Sequence, residues 1–299
     1  MQKEKIRNSI LLLLTAVIWG TAFVAQSVGM DYIGPFTFNA ARFLIGGTVL
    51  IPLIVYRSKK NPLLKNQTLE EKRKNQKTAW IGGVCCGIAL CGASLLQQMG
   101  IQHTTVGKAG FITTLYIIIV PLIELFFGKK IAKKIWLGAV MAVIGLYLLC
   151  INENFSIGKG DFLILVCAIL FAIHILIIDH FSPKADGVVL SAIQFFVSGF
   201  ISVIGAILVE NPNPAAMLDA IVPILYAGVM SCGVAYTLQV IGQKNISPTV
   251  ASMILSLESV ISVLAGWIIL GEALSAKEIV GCVIVFMAVV LVQLPEKKK

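Results

Sequence analysis

Apolar runs long enough to cross a bilayer recur ten times in this chain, at 9–29, 35–56, 78–99, 107–127, 132–151, 160–179, 187–209, 216–240, 248–270 and 276–294. A hydrocarbon core about 30 Å thick is spanned by about 20 residues of helix, so each run is a candidate span. Strands of a membrane barrel are about ten residues long and alternate apolar with polar, which these runs do not. Composition points the same way. The chain is 58% hydrophobic and 13% charged, with a mean hydropathy of +0.91, where a soluble domain carries about a quarter charged residues. The opening "MQKEKIRN" before "SILLLLTAV" has the basic start of a signal peptide. Its apolar stretch runs on to Met30, past an h-region of about 7–15 residues, so it is expected to stay as a first helix. The expected fold class is all-α integral membrane, with ten transmembrane helices.

The net charge of +9 could indicate a nucleic-acid binder, but its placement argues against that. With ten spans, twenty Lys and Arg fall on the side of the N-terminus and three on the other, namely Lys108, Lys159 and Lys277, while Arg42 lies within a span. Cytoplasmic loops attract Lys and Arg, so both termini are expected in the cytoplasm and the protein in the cytoplasmic membrane. Residues 57–77, "RSKKNPLLKNQTLEEKRKNQK", then form a basic cytosolic loop facing anionic lipid. It carries neither interleaved aromatics nor a groove-reading motif, and no nucleic-acid partner is expected.

Sliding residues 107–149 by 143 positions lays them over 250–292, with Gly128 on Gly271, Lys134 on Lys277 and Gly138 on Gly281. Each half, 1–152 and 153–299, then has five spans. An odd number turns the second half upside down relative to the first. Inverted repeats of this kind build many secondary transporters, with a substrate site near the membrane midplane between the halves.

Ionisable groups inside a span are costly in lipid and usually face the bundle interior. Glu258 lies about ten residues into its span, too deep for its short side chain to reach water easily, and its counterpart in the first half is Leu115. It can carry a proton during transport, brace two helices through a permanent bond, or touch substrate. Arg42, eight residues into the second span, needs a carboxylate, carbonyls or water, since its guanidinium never loses its charge. It can brace the fold or bind a substrate carboxylate. Lys108 and Glu124 lie near the ends of the fourth span, where side chains snorkel to the interface.

Helical spacing extends the candidate cavity wall. Trp19, Phe23 and Gln26 share one face, as do Tyr236, Gln239 and Gln243, and Thr113 pairs with Tyr116. Asn39, Gln97 and Gln194 join them as amides within spans, and His174 as a lone imidazole, although a hydrogen-bonded place in the core is the commoner role for such groups. His174, Asp179 and His180 have the wrong spacing for one metal-binding face. The seven cysteines, 85, 86, 91, 150, 167, 232 and 282, lie in or at the ends of spans and are expected as small hydrophobes, without disulfides. No metal or cofactor is expected.

Longer stretches carry a family resemblance: "AVIWGTAF", "FNAARFLIGG", "LLQQMGIQHTTVGKAGFITTLYIIIVPLIELFFGKK" and "LSLESVISVLAGWIILGEAL". Over about 9–294 the chain resembles the EamA-like ten-helix permeases of the drug/metabolite transporter superfamily. The resemblance implies two five-helix repeats around a central cavity and the outward movement of small metabolites, often amino acids. That family often has Glu-Pro in its ninth helix. Here Glu258 precedes Ser259, which leaves a proline-induced break without its proline. With no phosphate-binding loop for ATP and no HExxH or GxSxG pattern, an enzyme is not expected. The expected activity is secondary or facilitative export of a small metabolite, with protons as a candidate partner and the bilayer as surroundings. The alternatives are an exchanger of nucleotide sugars, phosphate esters or nucleobases, which predicts several cavity cations, and a non-transporting helical scaffold or lipid-binding protein.

Overall fold

In hydrocarbon a backbone has no water to bond, and a helix satisfies each peptide group within its own segment. A computed structural model of the protein describes residues 2–60, 68–104, 106–150, 158–271 and 275–294, which are helical with no strand among them. The helices are α1 (Gln2–Met30), α2 (Pro35–Lys60), α3 (Leu69–Ile101), α4 (Val106–Thr114 and Tyr116–Phe126) and α5 (Lys133–Cys150). They continue as α6 (Lys159–Phe181), α7 (Gly187–Val209), α8 (Ile221–Gly242), α9 (Pro248–Leu255 and Leu257–Leu270) and α10 (Ala276–Gln293). A short helix, Pro214–Asp219, precedes α8. Residues 61–67 of the basic loop, Glu272 and the "KKK" tail lie outside the described residues.

Eight of these stretches, α1 to α4 and α6 to α9, are long and apolar enough to cross a membrane. The apolar part of α10 is shorter, Ile279–Val292, and α10 packs along α5. The outer surface is built for lipid. Phe200, Ile204, Ile207 and Leu208 along α7 are each more than half exposed, an apolar stripe of a kind water-facing monomers rarely carry.

Helix ends are fixed by local chemistry. Thr68 and Glu71 form a reciprocal capping box at the start of α3. The Asp186 carboxylate accepts from Val188 N at 2.9 Å to start α7. At the start of α2 the Glu210 carboxylate, sent across from the end of α7, accepts from Phe36 N and Thr37 N at 2.8 Å each. The second segments of α4 and α9 end on Gly128 and Gly271, at φ +75° and +69°. That left-handed turn suits glycine, and the two glycines are 143 positions apart.

Both α4 and α9 are interrupted. In α4 the chain tightens around Leu115, whose N–H donates to Ile112 O (3.2 Å) and whose carbonyl accepts from Ile118 N (3.0 Å). In α9 it tightens at Ser256, whose carbonyl accepts from Ser259 N at 3.2 Å. No proline is needed there. Ser252, Ser256, Ser259 and Ser262 each turn the hydroxyl back onto the carbonyl three residues earlier, at 2.7–2.8 Å, and such back-bonding bends helices. A third irregularity is the π-helical winding of Tyr226–Tyr236 inside α8, an arrangement frequent at functional sites.

The principal contacts between helices form a self-consistent set. α2 packs on α7, α5 on α10 and α4 on α9. α1 packs on α8 as α6 does on α3, α1 on α9 as α6 does on α4, and α3 on α7 as α8 does on α2. Advancing each label by five, with α6 to α10 returning to α1 to α5, maps this set onto itself.

Candidate functional site

The three irregular segments converge on one interior cavity. Its wall includes Thr113 and Tyr116 on either side of the α4 interruption, Leu255 and Glu258 on either side of the α9 interruption, and Ser231, Tyr236 and Gln239 from α8. Trp19, Phe23 and Gln26 of α1, Arg42 of α2, Gln97 of α3, and Phe171 and Ile175 of α6 complete it. The cavity is small, about 30 Å³, enough for a few waters and no metabolite.

Two ionisable side chains sit on this wall, 2% and 3% exposed. Arg42 donates from Nη1 to Gln26 Oε1 at 2.7 Å, and its guanidinium carbon lies 4.8 Å from the Phe43 ring centre and 5.7 Å from that of Phe38. Its Nε and Nη2 have no hydrogen-bond partner among the described residues. Glu258 Oε1 accepts from the Tyr116 hydroxyl at 2.9 Å. Among the described residues the ion pairs are Arg57–Asp186, Lys108–Asp161, Lys129–Glu124 and Lys129–Asp179, so Arg42 and Glu258 share the cavity without forming one.

The rest of the wall is amphipathic. Trp19 and Tyr236 stack obliquely with centres 4.5 Å apart, and Gln97 Nε2 donates to Thr113 Oγ1 at 3.2 Å. Trp19 Nε1, a donor, and Gln239 Oε1, an acceptor, have no partner among the described residues. The lining thus offers spare donors at Arg42 and Trp19, spare acceptors at Gln239 and Glu258, and aromatic rings between them.

Ten residues singled out from the sequence line the cavity: Trp19, Phe23, Gln26, Arg42, Gln97, Thr113, Tyr116, Tyr236, Gln239 and Glu258. Four do not. His174 Nε2 and Gln194 Oε1 bond to each other at 3.0 Å, with the imidazole edge-on to Tyr236 at 6.0 Å, and Asn39 is fully buried away from the lining. Gln243 also turns away, donating to Ile175 O at 3.1 Å. Phe171, Ile175, Ser231 and Leu255 line the cavity without having been foreseen. For Phe171 and Ile175, four residues apart, the sequence offers only a shared helix face, which lipid contact explains equally well.

The charges near the ends of α4 are bound rather than merely snorkelled. Lys108 Nζ donates to Asp161 Oδ2 at 2.6 Å, and the other oxygen of Asp161 accepts from Thr104 Oγ1 at 2.8 Å. Glu124, 2% exposed, accepts from Lys129 Nζ at 2.9 Å and from the Thr249 hydroxyl. Through Lys129 it is linked to Asp179 at 3.8 Å, and the bond to Glu124 raises the Lys129 ammonium above the usual lysine range.

Comparison with known proteins agrees with a transport architecture. A family model described as "EamA-like transporter family" matches residues 7–151 and again 158–294. An "Uncharacterized transporter" of Archaeoglobus fulgidus is 29% identical over 95% of this chain and 84% of its own length. "Uncharacterized inner membrane transporter YedA" of Escherichia coli (strain K12) is 24% identical over 93% and 88%, and "WAT1-related protein At3g02690, chloroplastic" of Arabidopsis thaliana 26% over 93% and 67%. One solved crystal structure shares the fold, with a TM-score of 0.73 at 18% identity, covering 95% of this chain and 96% of its own. With eight membrane-length helices among the described residues and a family match across almost the whole sequence, the chain is a multi-pass membrane protein belonging to the EamA-like transporter family.

Proposed function

We propose that the protein exports a small zwitterionic metabolite, of the amino-acid class, across the cytoplasmic membrane by alternating access of two inverted five-helix halves, residues 1–152 and 153–299. One observation carries this. A buried cavity drawn from both halves holds a guanidinium with Nε and Nη2 unbonded among the described residues and a carboxyl group, at the point where α4, α8 and α9 are irregular. Interrupted helices meeting at a site between repeats are a recurrent transporter design. Further support comes from the helix contacts, which map onto themselves when the halves are exchanged, and from the paired left-handed glycines.

Arg42 receives the substrate carboxylate on Nε and Nη2, a fork suited to two parallel hydrogen bonds. Glu258 and Tyr116 receive the ammonium, and the aromatic wall takes the side chain. Glu258 also carries the exchangeable proton, leaving and regaining its bond to Tyr116 as the halves rock. The cavity holds only a few waters as described, so substrate entry requires the halves to separate on one side. All ten helices cross the bilayer, with both termini cytoplasmic.

An exchanger of phosphate esters calls for several cavity cations, and Lys108 is engaged with Asp161. Reconstitution into liposomes with labelled amino acids, nucleosides and nucleotide sugars, with and without a pH gradient, tests the proposal. Amino-acid flux that rises with the gradient and is lost in Arg42→Gln supports it, and flux of nucleotide sugars alone overturns it.

A further inference from the structure

A second and larger hollow lies on the outer wall. α1 and α9 touch at Gly20, where an added Cβ would fall 2.7 Å from Glu258 O and 2.4 Å from Ile261 Cβ. Toward the start of both helices, residues of α1, α9 and α10 line a groove of about 1080 Å³. Its lining runs from Lys5 to Leu13 on α1, from Val250 to Leu257 on α9 and from Leu294 back to Phe286 on α10. Each interval is seven or eight residues, or about 11–12 Å of helix, so the three walls have one depth. They are mainly apolar, with Ser9 among them, and Lys5 and Lys134 also line the groove, the Lys134 ammonium donating one hydrogen bond to Leu294 O at 2.8 Å.

We propose that this groove binds an anionic phospholipid, its headgroup at Lys5 and Lys134 and one acyl chain between α1 and α9. The shape argues for it, an apolar slot open to the bilayer and ending in ammonium groups. Placement argues for it too. The mouth shares its end of the bundle with Arg57, Lys129 and Lys184, the side that loop charges assign to the cytoplasm and its anionic leaflet. Glu4, the nearby acid on α1, is held by Asn245 Nδ2 at 3.3 Å. A second copy of the chain docking by two-fold symmetry would bring the same lysines toward one another. In the corresponding place of the first half α4 and α6 are joined by Lys108–Asp161, and Ala251 stands where Lys108 does after the 143-residue shift.

The test is native mass spectrometry of the full-length protein with equimolar dioleoyl phosphatidylglycerol and dioleoyl phosphatidylcholine. It needs no transport, so it stands or falls apart from the proposed function. The expected result is at least fivefold preferential retention of phosphatidylglycerol. Lys5→Gln with Lys134→Gln brings that ratio near one, and Ile10→Trp, filling a half-exposed part of the groove wall, lowers retention of both lipids at least fivefold. Equal retention of the two lipids by the native protein overturns the proposal, whatever the variants do. So does a preference unchanged in both folded variants, or an Ile10→Trp variant that loses a dimer while keeping its lipid.

Discussion

Tyr116 donates its hydroxyl hydrogen to Glu258 Oε1 across 2.9 Å, and the bond joins the interruption of α4 to the interruption of α9. These segments lie in the two stretches, 7–151 and 158–294, that the family model matches, and a 143-residue shift lays Leu115 on Glu258. The bond therefore links those two stretches at the cavity wall, and the bond from the Thr249 hydroxyl to Glu124 joins α4 and α9 a second time. The carboxylate is tolerated because it faces a polar cavity and a phenol instead of lipid.

Tyr116→Phe removes that bond and leaves the ring in place. Leaving a buried acceptor unmet costs about 1–3 kcal/mol, so thermal unfolding in detergent is expected to move to lower temperature. Transport is expected to persist with an altered pH profile. Calorimetry and flux at several pH values check both, and an unchanged profile would separate Tyr116 from the proton step.

In the proposed function Arg42 is a charge held for a ligand. Removing an uncompensated buried charge in favour of an apolar side chain of similar reach can be neutral or stabilising, by about 1–4 kcal/mol. Arg42→Met is therefore expected to keep or raise thermal stability while lowering affinity for the carboxylate substrate at least tenfold. A marked loss of stability with affinity intact would make Arg42 a brace instead.

Gly20 sets the approach of α1 to α9. Gly20→Val puts side-chain atoms where Ile261 and the Glu258 carbonyl already lie, and overpacking of this kind costs about 1–3 kcal/mol. Transport is expected to fall further than stability does, because the contact sits at the break of α9. Flux and unfolding temperature measured together decide it.

Lys129 and Glu124 act as a unit. Lys129→Met strands a buried carboxylate, while Glu124→Gln in the same chain relieves it. A double-mutant cycle in unfolding experiments is expected to give a coupling of about 0.5–3 kcal/mol. Additive losses would show that the pair is incidental.

Much of this could be seen in the residues beforehand. Trp19 and Phe23 share a helix face with period 3.6, and the two charges inside spans, Arg42 and Glu258, both reached the cavity because lipid gives them no alternative. Neutral polar residues were less legible. His174 and Gln194 satisfy each other in the core, and nothing in either residue's own sequence context names the partner. Ser231 was missed because the π-helical winding of α8 changes the residue spacing on a face before Tyr236. The interruption of α9 was hidden for another reason. It arises from serine hydroxyls bonding backward, where the family's usual signal is a proline. The bound states of Lys108 and Glu124 needed Asp161 and Lys129, one of which lies 53 residues away in sequence.

The most direct measurement concerns access to the cavity. Ser231→Cys, placed in a protein otherwise free of cysteine, can be probed with a membrane-impermeant thiol reagent in right-side-out and inside-out vesicles. Two inverted halves rocking about this cavity predict labelling from both faces, slowed by substrate. Labelling from one face alone under every condition, or from neither, would contradict them.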